Sequence, residues 1–246
     1  MIKLSEASKD IITFAVKYCS LVDIKSLMID KSGIRAKQDE KAVYLIEPGD
    51  FSFLEFDSLY TNRVQSLSPR LDMFSKAKLP YEIYADVKAL EDGSNVVSKL
   101  KIKADRTSVN FNTSMLTEKG LPRKLRDPLY HSFDIKSKDL KILKEGISAM
   151  GAEEFKIYTK DNGEVNCDIT DIEKDILTQS LADSYKNLDA DSPDSFCVKY
   201  KFKIISPLLN EAGKRKDSIC IKISRKGIML LKINGLSMYI FPESEE

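Results

Sequence analysis

The chain has 246 residues, enough for one large domain or two of ordinary size, and its 42% hydrophobic and 31% charged residues suit a protein with a real buried core. The net charge of +1 excludes a general electrostatic attraction to nucleic acid, so any such surface has to be local. No apolar run reaches membrane-spanning length, no signal-peptide core opens the chain, and Cys19, Cys167, Cys197 and Cys220 form no CxxC pair, so reduced thiols in a cytoplasmic protein are expected.

In chain order, Ser8 is placed to cap a helix whose apolar stripe is Ile11, Phe14, Tyr18 and Leu21. Leu27-Met28-Ile29, the turn Lys31-Ser32-Gly33 and a second β-like run follow. Residues 57–78 carry Leu59, Tyr60, Val64, Leu67, Leu71 and Phe74, which predicts a second helix, interrupted near Pro69. Ile83, Ala85 and Val87, then Leu100 and Ile102 between Lys99, Lys101 and Lys103, then Val109 and Phe111, alternate as strands with one buried face.

Residues 117–128, with Gly120, Pro122, Arg123, Lys124, Arg126 and Pro128, have the composition of a connector, anchored at Leu125 and Leu129. The first half is then echoed. Ser137 precedes a helix with the stripe Leu140, Leu143, Ile147 and Met150. Phe155 to Tyr158, the turn Asp161-Asn162-Gly163 and Val165 to Ile169 repeat the hairpin. Phe196, Val198, Tyr200, Phe202 and Ile204 alternate with Lys199, Lys201 and Lys203. A short helix over 206–212 stops at Gly213. A meander closes the sequence: Ile219, Ile221 and Ile223, a turn at Lys226-Gly227, residues 228–233, a turn at Asn234-Gly235 and residues 238–241. The domains predicted are 1–116 and 129–246, joined by the connector 117–128.

Catalytic chemistry is scarce. His131 is the only histidine and reads as a surface or strand-edge residue. Neither a glycine-rich phosphate loop nor a GxSxG elbow occurs. Asp183, Asp189, Asp191 and Asp194 lack calcium-loop spacing and read as a mobile acidic loop rather than a metal site. No catalytic residue, metal or cofactor is expected, and a metal-dependent nuclease or transferase built on the acidic loop is the remote enzymatic alternative.

The cations are more suggestive. Lys136, Lys138, Lys141 and Lys144 lie on or beside the second-half helix, Lys214-Arg215-Lys216 end the short helix, and Arg63, Arg70, Lys76 and Lys78 decorate the corresponding part of the first half. Lys9 and Lys17 share the first helix with Glu6 and Asp10. These cations either solubilise separate helices or form one face that touches phosphates without reading bases. The strand lysines read as the solvated side of a sheet.

The opening Met1-Ile2-Lys3-Leu4-Ser5, the run Phe133-Asp134-Ile135-Lys136-Ser137-Lys138-Asp139-Leu140 and the terminal meander with its acidic tail Glu243-Ser244-Glu245-Glu246 resemble the sliding clamps of T-even-type bacteriophages. The resemblance implies an α+β DNA-clamp fold: two similar domains, each with two helices on antiparallel sheets, three subunits closing a ring. It implies a processivity factor that encircles double-stranded DNA without sequence preference, tethers the replicative DNA polymerase, is opened by an ATP-dependent clamp loader, and supports late transcription. The place would be the cytoplasm, that of an infected host cell for a phage protein, with no membrane partner. Lys9, Lys17, Arg63, Arg70, Lys138, Lys141, Lys144, Lys214, Arg215 and Lys216 would face DNA. Leu121, Leu125, Tyr239, Ile240, Phe241 and Pro242 would form a pocket for partner peptides. Clamps are mostly acidic, whereas this chain is nearly neutral. The alternative is a clamp-derived interaction scaffold that does not encircle DNA.

Overall fold

The computed structural model describes residues 1–38, 43–114, 126–152, 154–201, 206–207, 219–233 and 236–243. The chain divides into two compact units, Met1–Lys124 and Leu125–Glu246.

The first unit runs β1 (Ile2–Lys3), α1 (Glu6–Leu21), β2 (Ser26–Asp30), β3 (Gly33–Lys37), β4 (Val43–Pro48), β5 (Ser58–Thr61), α2 (Val64–Lys76), β6 (Glu82–Ala89), β7 (Asn95–Ala104) and β8 (Thr107–Asn112). Its strands pair in the order β1-β6-β7-β5-β2-β3-β4, with β8 added to β7. β5 meets β7 in parallel at Ser58 and Val96. The long β6–β7 and β7–β8 ladders are antiparallel. Alternation holds for Ile83, Ala85, Leu100, Ile102 and Phe111, which are buried, whereas Val109 and, past the register shift at Asp86/Val87, Val87 are only half-buried.

The helices start and turn differently from the sequence expectation. Ser5, not Ser8, caps α1: its backbone is extended and its Oγ accepts from Ser8 N at 3.3 Å. Glu55 completes the cap by accepting from Ser5 N at 2.9 Å and Ser8 Oγ at 2.6 Å. The buried face of α1 is Ser8, Ile12, Ala15, Val16, Tyr18 and Cys19, while Ile11, Phe14 and Leu21 are half-buried. The physical reason is close approach: Ser8, Ala15 and Cys19 are small enough to let α1 lie against α2 and β2. Phe14 still closes the flank, edge-on to Tyr18 with centroids 4.8 Å apart.

α2 runs through Pro69 without a break, and Leu59 and Tyr60 belong to β5 instead. Proline removes one hydrogen bond from the helix interior. Burial of Val64, Leu67, Leu71 and Phe74 outweighs that loss, each large apolar side chain contributing roughly 1.5–3 kcal/mol.

The second unit runs β9 (Leu129–Ile135), α3 (Ser137–Met150), β10 (Glu154–Thr159), β11 (Val165–Thr170), β12 (Ile176–Ala182), β13 (Lys186–Asn187), β14 (Cys197–Lys201), β15 (Ile219–Ser224), β16 (Met229–Ile233) and β17 (Leu236–Ile240). One sheet has the order β17-β16-β15-β9-β13 and the other β12-β11-β10-β14. Helix followed by hairpin thus occurs in both units, as α1-β2-β3 and α3-β10-β11. α3 buries Leu140, Leu143 and Ile147, and ends at Gly151 in the left-handed region. Its N-cap is Lys136 rather than Ser137, with no side-chain capping hydrogen bond. Gly146 allows α3 to approach β12, because a Cβ there would collide with the Leu177 side chain. Tyr200, fully buried, ties the sheets together by donating its hydroxyl to Gly227 O at 2.7 Å.

Two further expectations are corrected. His131 is neither exposed nor at an edge: β9 lies between β15 and β13, and the imidazole is 1% exposed. Its ring packs against Phe196 (4.8 Å) and Tyr185 (5.3 Å), and Nδ1 lies 3.1 Å from Asn187 Oδ1. The acidic stretch 183–194 is held to β9, with Leu188 N and Ser192 Oγ both donating to Tyr130 O at 2.8 and 3.0 Å. Among the described residues no cluster of His, Cys, Asp and Glu is arranged to hold a metal, and no helix is long and apolar enough to cross a membrane. The short helix predicted at 206–212 lies mostly outside the described residues, as do the turn Asn234-Gly235 and most of the connector 117–128.

Candidate nucleic-acid and partner interface

α3 presents its cations outward. Leu140, Leu143 and Ile147 fix the buried side, which leaves Lys138, Lys141 and Lys144 exposed. Among the described residues these three make no ion pair or hydrogen bond. Asp139 and Glu145 are the acids on the same helix, so its balance is positive. Lys136, at the cap, lies 3.4 Å from Asp183 Oδ2 in an exposed pair of little energetic weight.

The first-unit cations expected to face DNA are engaged, whereas Lys76 and Lys78 are exposed with no side-chain partner among the described residues. Lys9, with a side chain only 17% exposed, pairs with Glu6, donates to Tyr81 O at 3.3 Å and sits 5.1 Å over the Tyr81 ring. Lys17 lies 5.7 Å over the ring of Tyr18. Arg63 and Arg70 both cover Phe111, at 5.4 and 5.6 Å from the ring centroid, and Arg70 also donates to Ser66 O. Phe111 is 2% exposed, so these guanidiniums complete a core as well as decorate a surface. Lys214, Arg215 and Lys216 lie outside the described residues.

The second unit also holds a cleft of about 700 Å³, lined by Arg126, Asp127, Pro128, Arg225, Lys226, Ile228 and Phe241. Its walls are locked together by one carboxylate. Asp127 Oδ2 accepts from Ser224 Oγ and from Lys226 N at 3.0 Å. Arg225 N donates to Pro128 O at 3.0 Å, and Ser224 Oγ accepts from Ile228 N at 2.9 Å. Gly227, at φ 74°, closes the turn, and a Cβ there would lie 2.9 Å from Val198 Cγ1.

Of the pocket residues expected from the sequence, Phe241 lines this cleft. Pro242 follows it, half-buried near Gly227, and Tyr239 is half-buried on β17. Ile240 is fully buried and faces the core. Leu121 and Leu125 lie outside the described residues. Sequence reasoning read Arg126 and Pro128 as connector and Lys226 as a turn, and missed their meeting. Asp127 and Lys226 are 99 positions apart, and the turn-forming Asp127-Pro128 step was the one local hint.

The fold is that of the DNA sliding clamps, α+β with few helices and large antiparallel sheets. Proliferating Cellular Nuclear Antigen from Entamoeba histolytica matches over 99% of this chain and 98% of its own, with a TM-score of 0.63 and 16% identity. The PCNA2-PCNA3 complex from Sulfolobus tokodaii matches over 99% of each chain, with a TM-score of 0.62 and 12% identity. No family model and no curated protein matches the sequence.

Proposed function

We propose that this chain is one subunit of a homotrimeric sliding clamp that encircles duplex DNA and tethers a replicative polymerase. The observation that carries the reading is a clamp fold extending over 99% of the chain. The exposed lysines of α3 supply phosphate attraction without base readout, which sliding requires. β8 and β12 each lie at the margin of their sheet, and Ile172 before β12 and Ile176 at its start are 75% and 61% exposed. Head-to-tail pairing of such edges between copies closes a ring when the rotation permits. Domains 1–116 and 129–246 would be the repeating units of that ring.

In this reading the protein is not an enzyme, needs no cofactor, and depends on an ATP-driven loader to open the ring. The cleft containing Phe241 receives the partner's peptide. Service to late transcription is the phage-type part of the proposal, and it rests on the resemblance of the opening, second-half and terminal segments.

Sedimentation at micromolar concentration, joined to primer extension on a long template, tests the proposal. A trimer that lengthens products in the presence of loader and polymerase is expected. A stable monomer without effect on product length would favour the interaction scaffold.

A further inference from the structure

We propose that the cleft of the second unit selects peptides that carry carboxylates beside an apolar anchor. The inference rests on the clamp reading and deepens its peptide site. The floor is apolar, made by buried Ile228 and half-buried Phe241 and flanked by exposed Pro128. The rim is cationic: Arg126, Arg225 and Lys226 are exposed and, among the described residues, none has a carboxylate within ion-pair distance. The lining contains one acid, Asp127, and its Oδ2 already accepts from Ser224 Oγ and Lys226 N. That carboxylate holds the walls together without ion-pairing a rim cation, and the lining keeps a net charge of +2.

The rim is also fixed before any ligand arrives. Ser224 N donates to Ile228 O at 2.9 Å, Gly227 N to Ser224 O at 3.0 Å and Arg225 N to Pro128 O at 3.0 Å, so the 224–228 turn has little freedom to lose. A purely apolar peptide would fill the floor and leave the rim's net positive charge uncompensated. Aspartates or glutamates flanking the anchor offset that charge, speed the encounter and set the peptide's direction along the cleft. A nucleic acid fits less well, since the floor offers a single half-buried ring and no series of rings on which bases could stack.

The test uses the full chain and a fluorescent peptide, Gly-Ser-Asp-Asp-Leu-Phe-Asp-Gly, with a second version in which every Asp is Asn. Anisotropy at low salt should show the acidic peptide binding about tenfold more tightly, as expected for two or three exposed ion pairs. That advantage should shrink with added salt and disappear in the Arg126→Gln, Arg225→Gln, Lys226→Gln triple variant. The double variant Lys99→Gln, Lys101→Gln lowers the net charge elsewhere and should leave it unchanged. Thermal melts confirm that each variant is folded.

Equal affinity for the two peptides would overturn the inference while leaving the peptide-cleft reading in place. Binding that survives Phe241→Ala would overturn both the inference and the cleft reading. An advantage lost equally in the Lys99 and Lys101 variant would reduce the effect to net charge. Displacement of the peptide from the rim by a short single-stranded oligonucleotide would assign the cations to nucleic acid instead.

Discussion

The two units repeat one scaffold but use their cations differently. In the first, Lys9 is tied to Glu6 and Tyr81, and Arg63 and Arg70 lie on Phe111. In the second, Lys138, Lys141 and Lys144 stand exposed on α3 without a protein partner among the described residues. A guanidinium that covers a buried ring is costly to withdraw, whereas an unpaired exposed lysine can turn to a phosphate at small cost. Of the cations expected to face DNA, those of the first unit therefore support the fold and those on α3 are free to act.

The largest effect should come from the free set. Replacing Lys138, Lys141 and Lys144 by Glu should impair retention on circular DNA and flatten the salt dependence by roughly three counterions, about one per lost phosphate contact. The trimer should persist. Lys9→Glu and Lys17→Glu together should do less, and a larger loss from that pair, measured on the same DNA, would invert the comparison.

A smaller effect follows for the engaged set. Arg63→Ala with Arg70→Ala uncovers Phe111 and should cost about 1–2 kcal/mol in denaturant unfolding, from two cation–π contacts of about 0.5–1 kcal/mol each. Unchanged stability would show that the guanidiniums only decorate the surface.

The helix starts differ in the same sense. Ser5→Ala should destabilise α1 by about 1 kcal/mol, because Ser5 Oγ satisfies Ser8 N. Lys136 sits in the extended conformation of an N-cap without a side-chain bond, so Lys136→Ser should gain about 0.5–1 kcal/mol. No gain in thermal midpoint would mean that the cap is satisfied in another way.

Strands were legible because alternation has a single answer: Ile219, Ile221 and Ile223 are all buried, as their period requires. The face of α1 was not. Ile11, Phe14, Tyr18 and Leu21 have helical spacing, and so do Ser8, Ile12, Ala15 and Cys19. The second set is buried together with Tyr18 while Ile11, Phe14 and Leu21 stay half-buried, because small residues permit close packing, a preference that a search for large apolar groups overlooks. His131 was misjudged for a related reason. Its neighbours Tyr185, Asn187 and Phe196 come from a distant segment whose acidic composition pointed to a loop. The cleft was legible only at Phe241, since its other walls meet through long-range hydrogen bonds.

Acidification should separate the units by the mildest effect. Burial holds the His131 imidazole below its ordinary value of 6.5, more than the Asn187 contact raises it. The unfolded chain therefore takes up this proton first, and the stability present above pH 6.5 declines as the pH falls towards the folded value. The slope is at most about 1.4 kcal/mol per pH unit for one proton. In the first unit, Glu55 at the start of α1 is desolvated, which opposes ionisation. The hydrogen bonds from Ser8 and Ser5 nevertheless bring it below its ordinary 4.5. Its contribution is present above pH 4.5 and is lost only as the pH falls through the folded value. Between pH 7 and 5, amide protection corrected for the intrinsic exchange rate at each pH should therefore fall around β9 and β13 before it does around α1. His131→Phe keeps a ring against Phe196 and removes the proton, so it should abolish that early loss of protection, while Asn187, exposed, turns to water. A loss that begins at α1, or that persists in the Phe variant, would show that His131 is not the group that sets the acid sensitivity of the second unit.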